Sequence, residues 1–248
     1  MRRAIPTVLA TALVLVACGA DGGPERTELV VFAAASLTEA FDEVTDAFED
    51  ANPGTSVDLN FAASSALREQ ILEGAPADVF ASANGSNMDA VVDAGEADDS
   101  QAFAQNHLEI VVPAGNEAEV AGLHDFARDE LFVGLCAEEV PCGEFGRQAL
   151  ANAGVEPSVD TNEPDVRALL AKVQSGDLDA GLVYRTDVLA AGDEVEGIEV
   201  PDEHDVVAAY PIAVLARSEV PDVAGAFVAF VLSADGQEIL ASHGFEGP

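Results

Sequence analysis

The chain is poor in positive charge. Its 248 residues include 10 Lys and Arg against 46 Asp and Glu, for a net charge of −36, and Lys172 is the single lysine. A surface so acidic does not attract nucleic acid or an anionic membrane. There is no Gly-x-Ser-x-Gly elbow, which leaves the familiar serine-hydrolase framework without its nucleophile turn. The four histidines, His107, His124, His204 and His243, are scattered, and none neighbours a candidate serine in sequence. His204 stands between Glu203 and Asp205 and reads as part of a solvated acidic loop rather than a metal site. No repeat of solenoid period and no low-complexity run occurs. No helix-turn-helix region is evident, so a gene-regulator effector domain is disfavoured.

What is present begins with a leader. Arg2 and Arg3 precede an almost wholly apolar stretch from Val8 to Ala17, too short for an ordinary transmembrane helix. Leu15-Val16-Ala17-Cys18 resembles the lipobox of bacterial lipoproteins. The expectation is a signal peptide over 1–17, acylation of Cys18, a tether over 18–27, and an extracytoplasmic protein anchored to the membrane. A plain secretory leader is the alternative. Losing Arg2 and Arg3 makes the charge two units more negative than −36. Of three cysteines, Cys136 and Cys142 remain. Outside the cytoplasm they can form a disulfide, with two free thiols as the alternative.

The mature chain alternates strand and helix patterns, which argues a mostly parallel α/β sheet. An apolar run, Val30 to Phe32, passes through Ala33-Ala34-Ala35 to Ser36. Leu37, Phe41, Val44 and Phe48 then recur at helical spacing. Ser36 with Glu39 reads as a capping box. The same device follows at Val57 to Phe61, Ala62-Ala63-Ser64-Ser65, then Leu67 and Ile71. Strands are expected at 77–81, 108–112, 131–135, 180–183 and 210–215. Helices are expected at 88–94, from Gly143, from Asn162-Glu163-Pro164-Asp165 with proline in the first turn, and over 223–240 with a break at 233–236.

Ser36, Ser64, the turn Pro141-Cys142-Gly143 and Asp165-Val166 each open a predicted helix. A helix start offers unpaired N–H groups and the positive end of the dipole. Several converging on the carboxyl ends of strands would suit a compact anion. Taken singly, each is equally well a cap.

Together these pieces resemble the periplasmic molybdate-binding proteins of bacterial ATP-binding-cassette uptake systems. The matching segments are Phe32-Ala33-Ala34-Ala35-Ser36-Leu37, Phe61-Ala62-Ala63-Ser64-Ser65 and Gly74-Ala75-Pro76-Ala77-Asp78-Val79-Phe80. Val140-Pro141-Cys142-Gly143, Asp165-Val166-Arg167, Gly181-Leu182-Val183-Tyr184, Tyr210-Pro211 and Gly244-Phe245 complete them. The resemblance implies a two-lobed α/β fold of the periplasmic-binding-protein type II, with lobe I at 28–106 plus 212–248 and lobe II at 107–211. It implies a binding protein rather than an enzyme, with no cofactor. The ligand is molybdate or tungstate, held by Ser36, Ser64, the backbone of Cys142 and Val166, and the Tyr184 hydroxyl. The partners implied are a membrane permease and its ATPase, and a monomer is expected. Arg68 and Arg167, within one turn of two helix starts, are read as lying outside the cage. Sulfate or phosphate on the same fold is the alternative. Asp165 is the nearby acceptor that a protonated phosphate would need. A serine-dependent hydrolase is a remote third reading.

Overall fold

A computed structural model describes residues 26–248. The leader and Cys18 lie outside the described residues.

The first lobe starts with β1 (Thr27–Ala34), which pairs in parallel with β2 (Thr55–Ala62) and with β3 (Val79–Ala81). Two more strands complete the sheet, β4 (Gln101–Asn106) and β10 (Ala208–Val214), in the order β2-β1-β3-β10-β4. The second lobe repeats the plan. β5 (Leu108–Pro113), β6 (Val133–Cys136), β7 (Thr161–Glu163), β8 (Ala180–Tyr184) and β9 (Val195–Glu199) form a sheet ordered β7-β6-β8-β5-β9. Each sheet holds one reversed strand, β10 in the first and β5 in the second, antiparallel to both its neighbours. Each reversed strand is the one on which the chain has just crossed from the other lobe.

The crossings are therefore the connections between the lobes. Only His107 separates β4 from β5. Residues 200–207 join β9 to β10, and β10 enters the first sheet at Ala208, before residue 212. The two crossings are tied together. His107 Nδ1 lies 2.6 Å from Asp205 Oδ2, and the Leu108 N–H donates to Asp205 Oδ1 at 3.1 Å. Asp205 thus ties the two crossings together and does not pair with neighbouring His204.

Helices flank both sheets. After a 3-10 turn at Ala35–Leu37, α1 (Thr38–Ala51) buries Phe41, Val44 and Phe48, the face that its spacing marks as apolar. That face meets α7 (Pro221–Val231), where Phe227 stands edge-on to Phe48 with ring centroids 5.2 Å apart, and Phe230 at 5.7 Å. Such pairs add about 0.5–1.5 kcal/mol each beyond their buried area. The terminal helical region does break where expected: Ser233 caps α8 (Ala234–Ser242) by accepting from the Gly236 N–H. No single described helix is long and apolar enough to cross a membrane.

Three local expectations need correction. The helix expected from Gly143 starts two residues earlier, as α4 (Pro141–Asn152), with proline where its missing N–H costs nothing. Gly143 instead permits close approach, because a Cβ there would stand 1.9 Å from the Ala137 carbonyl oxygen. Pro164 lies outside the first turn of α5 (Val166–Gln174). Asp165 is the N-cap, its carboxylate accepting from the Ala168 N–H at 2.8 Å. The capping box at Ser36 does not form. The 3-10 turn holds Ser36 inside it, and α1 starts at Thr38 without a side-chain cap. Strands β4, β7 and β9 and the short helix α6 (Arg185–Ala191) have no clear sequence pattern, being short or strongly polar, and Asn162-Glu163 end β7 rather than open a helix.

Candidate functional site

The carboxyl ends of β1, β2 and β3 face those of β6, β7 and β8 across the cleft. The short connections that leave these strands line one cavity: Ala34 to Ser36, Ala63, Ser64 and Ala83 from the first lobe, and Val140 to Cys142, Asp165, Val166 and Tyr184 from the second. Its cavity volume is about 10 Å³. Sites for drug-sized organic ligands run to roughly 300–1,000 Å³, so this one suits a compact group.

Each sequence-predicted site residue lies on this wall, and the structure brings all five together. Ser64 is the first residue of α2 (Ser64–Leu72), but the cap position belongs to Ala63. Neither serine caps its helix. Ser64 Oγ accepts the Ala83 N–H at 2.9 Å, and Ser36 Oγ lies 2.9 Å from the Tyr210 hydroxyl. Both side chains are buried. A buried hydroxyl held by a neighbour rather than spent on its own helix retains bonding capacity for the cavity.

The second lobe contributes differently. Cys142 and Val166 fall in the first turns of α4 and α5, where N–H groups have no intrahelical acceptor. Among the described residues neither N–H makes a hydrogen bond. The Tyr184 hydroxyl is buried and also without a partner. Burial pushes it well above the usual phenol range, with the charges of Asp187 and Glu144 acting in the same direction, so it stays a neutral donor. An unpaired buried donor costs about 1–3 kcal/mol, which a ligand oxygen would relieve. A disulfide joins Cys136 to Cys142, with Cα atoms 5.8 Å apart, and ties the start of α4 to the end of β6.

Charged side chains stand around the cavity without entering it as donors. Arg68 donates to Asn87 Oδ1 at 2.9 Å. Arg167 reaches across the cleft to Glu39, with Nη1 3.2 Å from Oε2. A second bridge between lobes runs from Asn84 Nδ2 to Glu144 Oε2 at 2.8 Å. Behind Arg167, Asp187 is buried. Its Oδ2 accepts the Tyr184 N–H at 3.0 Å, and its Oδ1 lies 3.8 Å from Arg167. Burial lifts its carboxyl to about 7. Asp165 lines the cavity, and its Oδ1 caps its own helix.

Sequence reasoning missed the supporting residues. Tyr210, Asn106, Thr186 and Ala83 sit behind the serines, and nothing in local spacing joins residues 174 apart, as Ser36 and Tyr210 are. A hydrolase reading finds no support here. His107 pairs with Asp205 and His243 with Glu43, and neither serine is bonded to a histidine. Among the described residues no cluster of three or more His, Cys, Asp and Glu side chains could hold a metal ion.

A wall of uncharged donors between two lobes is a solute-binding geometry, and residues 29–246 match the family of bacterial extracellular solute-binding proteins. The chain belongs to that family. Its proteins carry solutes in transport and make no bond, so this is an extracytoplasmic binding protein rather than an enzyme. The chain is 41% identical over 243 residues to the molybdate-binding protein ModA of Mycobacterium tuberculosis, covering 94% of this chain and 93% of that one. Among solved structures, the substrate-binding domain of a putative molybdenum ABC transporter from Clostridium difficile superposes with a TM-score of 0.67 at 29% identity. That match covers 90% of this chain and 99% of the other. The sulfate-binding protein SubI of Mycobacterium tuberculosis gives 0.80 at 20% identity, over 90% and 87% of the two chains, a likeness of fold alone.

Proposed function

We propose that this protein captures molybdate or tungstate between its lobes and delivers it to the membrane permease and ATPase of an importer. Ser36, Ser64, the N–H groups of Cys142 and Val166, and the Tyr184 hydroxyl form the cage. The observation that carries this reading is the unpaired, buried Tyr184 hydroxyl on a cavity wall of uncharged donors. A dianion loses a large hydration energy in a closed cleft and must be met by donors on nearly every oxygen. Hydroxyls and N–H groups supply them without adding charge, and three helix starts add their dipoles. The kinship with the Mycobacterium tuberculosis protein supports molybdate as the oxyanion.

Acylated Cys18 would hold the mature chain at the membrane surface, with 18–27 as tether. The lobes are read as 28–106 with the C-terminal segment from β10 onward, and as the residues between. The working unit is a monomer, and bridging by Glu39–Arg167 and Asn84–Glu144 holds the lobes together around the anion.

A protonated phosphate would want an acceptor in the cage; Asp165 Oδ1 serves the Ala168 N–H, which leaves Oδ2 as the acceptor such a ligand would have to use. Sulfate is smaller than molybdate and would contact fewer donors at once. Calorimetric titration of the mature chain with molybdate, tungstate, sulfate and phosphate tests the reading. Strong heats with the first two and weak ones with the others are expected. Tighter binding of sulfate would transfer the assignment to that anion.

A further inference from the structure

We infer that Tyr210 is a positioning residue for the anion cage: its hydroxyl donates to Ser36 Oγ and thereby turns the Ser36 proton into the cavity. This rests on the reading of Ser36 as a ligand donor. Tyr210 is fully buried in β10, far from Ser36 in sequence, and does not line the cavity.

The direction of the bond follows from its neighbours. The Tyr210 hydroxyl has two hydrogen-bond partners, Ser36 Oγ at 2.9 Å and Asn106 Nδ2 at 3.5 Å, and the Tyr184 hydroxyl stands beside it without a hydrogen bond. The orientation of the Asn106 amide is set on both sides: Oδ1 accepts the His107 N–H at 3.0 Å, and Nδ2 donates to Thr186 Oγ1 at 2.8 Å. An amide nitrogen does not accept. If Ser36 donated to Tyr210, the phenol proton would be left to the Tyr184 oxygen, with which no hydrogen bond forms. Donation from Tyr210 to Ser36 satisfies both groups and leaves the Ser36 proton to find its acceptor among ligand oxygens. Burial also holds the Tyr210 hydroxyl above the usual phenol range, so the proton is always there to give.

Ser64 shows the same arrangement made by other means. Its Oγ accepts a backbone N–H, from Ala83, which can only donate. Both serines therefore have their oxygen filled from behind and their proton directed forward. The backbone does this for Ser64, and a side chain that can be replaced does it for Ser36.

Calorimetry with molybdate on Ser36→Ala, Tyr210→Phe and the double variant tests the inference. Phenylalanine keeps the ring packed against Phe103, Tyr184 and Phe245. Tyr210→Phe should weaken binding about tenfold, the scale of one hydrogen bond to a charged acceptor. The double variant should bind no more weakly than Ser36→Ala alone, because Tyr210 acts through Ser36. A purely structural role would lower the melting temperature and add its loss to that of Ser36→Ala. Should Tyr210→Phe not fold, Asn106→Asp replaces it in the same cycle. A carboxylate there competes for the phenol proton, and its loss should shrink in the Ser36→Ala background, from which any simple charge repulsion is cancelled. Additive losses, or wild-type binding by Tyr210→Phe beside a weakened Ser36→Ala, would overturn the inference and leave the cage intact. Wild-type binding by Ser36→Ala itself would overturn both the inference and the site.

Discussion

The first lobe lines the cleft with serine hydroxyls, and the second lines it with backbone N–H groups and one phenol. The first lobe's donors depend on side-chain identity, since alanine at 36 or 64 removes the hydroxyl. Two of the second lobe's donors do not, because any residue but proline carries the N–H. This explains how Cys142 can join a disulfide and still offer its N–H to the cavity. It also means that the two lobes should respond to different kinds of substitution.

The contrast is sharpest at Val166. Val166→Ala keeps the N–H and should leave molybdate affinity nearly unchanged. Val166→Pro removes it at the first position of α5, where proline is tolerated after the extended Asp165. The ring also projects where the N–H pointed. Binding should weaken by about 3 kcal/mol, the upper range for a hydrogen bond to a charged group, with the fold retained. Calorimetry and far-ultraviolet circular dichroism on the pair check this. Equal affinities in the two variants would remove the Val166 N–H from the cage.

The first lobe should break by the opposite route. Ser36→Ala and Ser64→Ala should each cost about 1.5–3 kcal/mol of binding. Ser64→Ala should also lower the melting temperature, because the buried Ala83 N–H loses its acceptor. Unchanged affinity in both variants would refute the hydroxyl half of the comparison.

A smaller effect concerns the loop that presents the Cys142 N–H. Reducing the Cys136–Cys142 bond should lower stability by about 2 kcal/mol on the loop-closure account. It should weaken molybdate binding without abolishing it. Mass spectrometry of protein alkylated without reduction should find both cysteines unlabelled in material from the cell envelope. Labelling of both would mean that the bond does not form there.

An effect on stability rather than on binding is a pH slope from Asp187, which only the second lobe carries. Burial is the main cause of its rise from 3.8 to about 7, with Glu39 and Asp165 adding to it and the Tyr184 N–H and Arg167 opposing it. The native state therefore holds this proton at pH values where the unfolded chain has released it. Its contribution to stability is present in full below the unfolded value, falls as pH rises toward 7, and is level above. Asp187→Asn should gain stability relative to the parent chain over that interval, and chemical denaturation at several pH values measures it. A difference independent of pH would show that Asp187 titrates normally.

The same contrast decides what was legible beforehand. The serines stood out because small residues after an apolar strand and before a helical pattern are visible in any window. Both have the sequence position of a cap, and the structure gives them other partners. The backbone donors left no trace in residue type, and family resemblance, not spacing, pointed to Cys142, Val166 and Tyr184. The supports behind the serines were hidden because Tyr210 and Asn106 reach the site through the reversed strand β10 and the polar strand β4. A crossing between lobes is a matter of topology and has no local pattern. The long periodic elements, α1 above all, were readable because one face of each is apolar throughout.

The most direct test of the account is to locate the anion. Crystals of the mature chain grown with molybdate should give an anomalous peak from molybdenum at the absorption edge. The account predicts one dominant peak between the lobes, with oxygens within hydrogen-bond distance of the Ser36, Ser64 and Tyr184 hydroxyls and of the Cys142 and Val166 N–H groups. A dominant peak elsewhere, or one bonded to a single lobe with Arg68 or Arg167 as its donor, would contradict it.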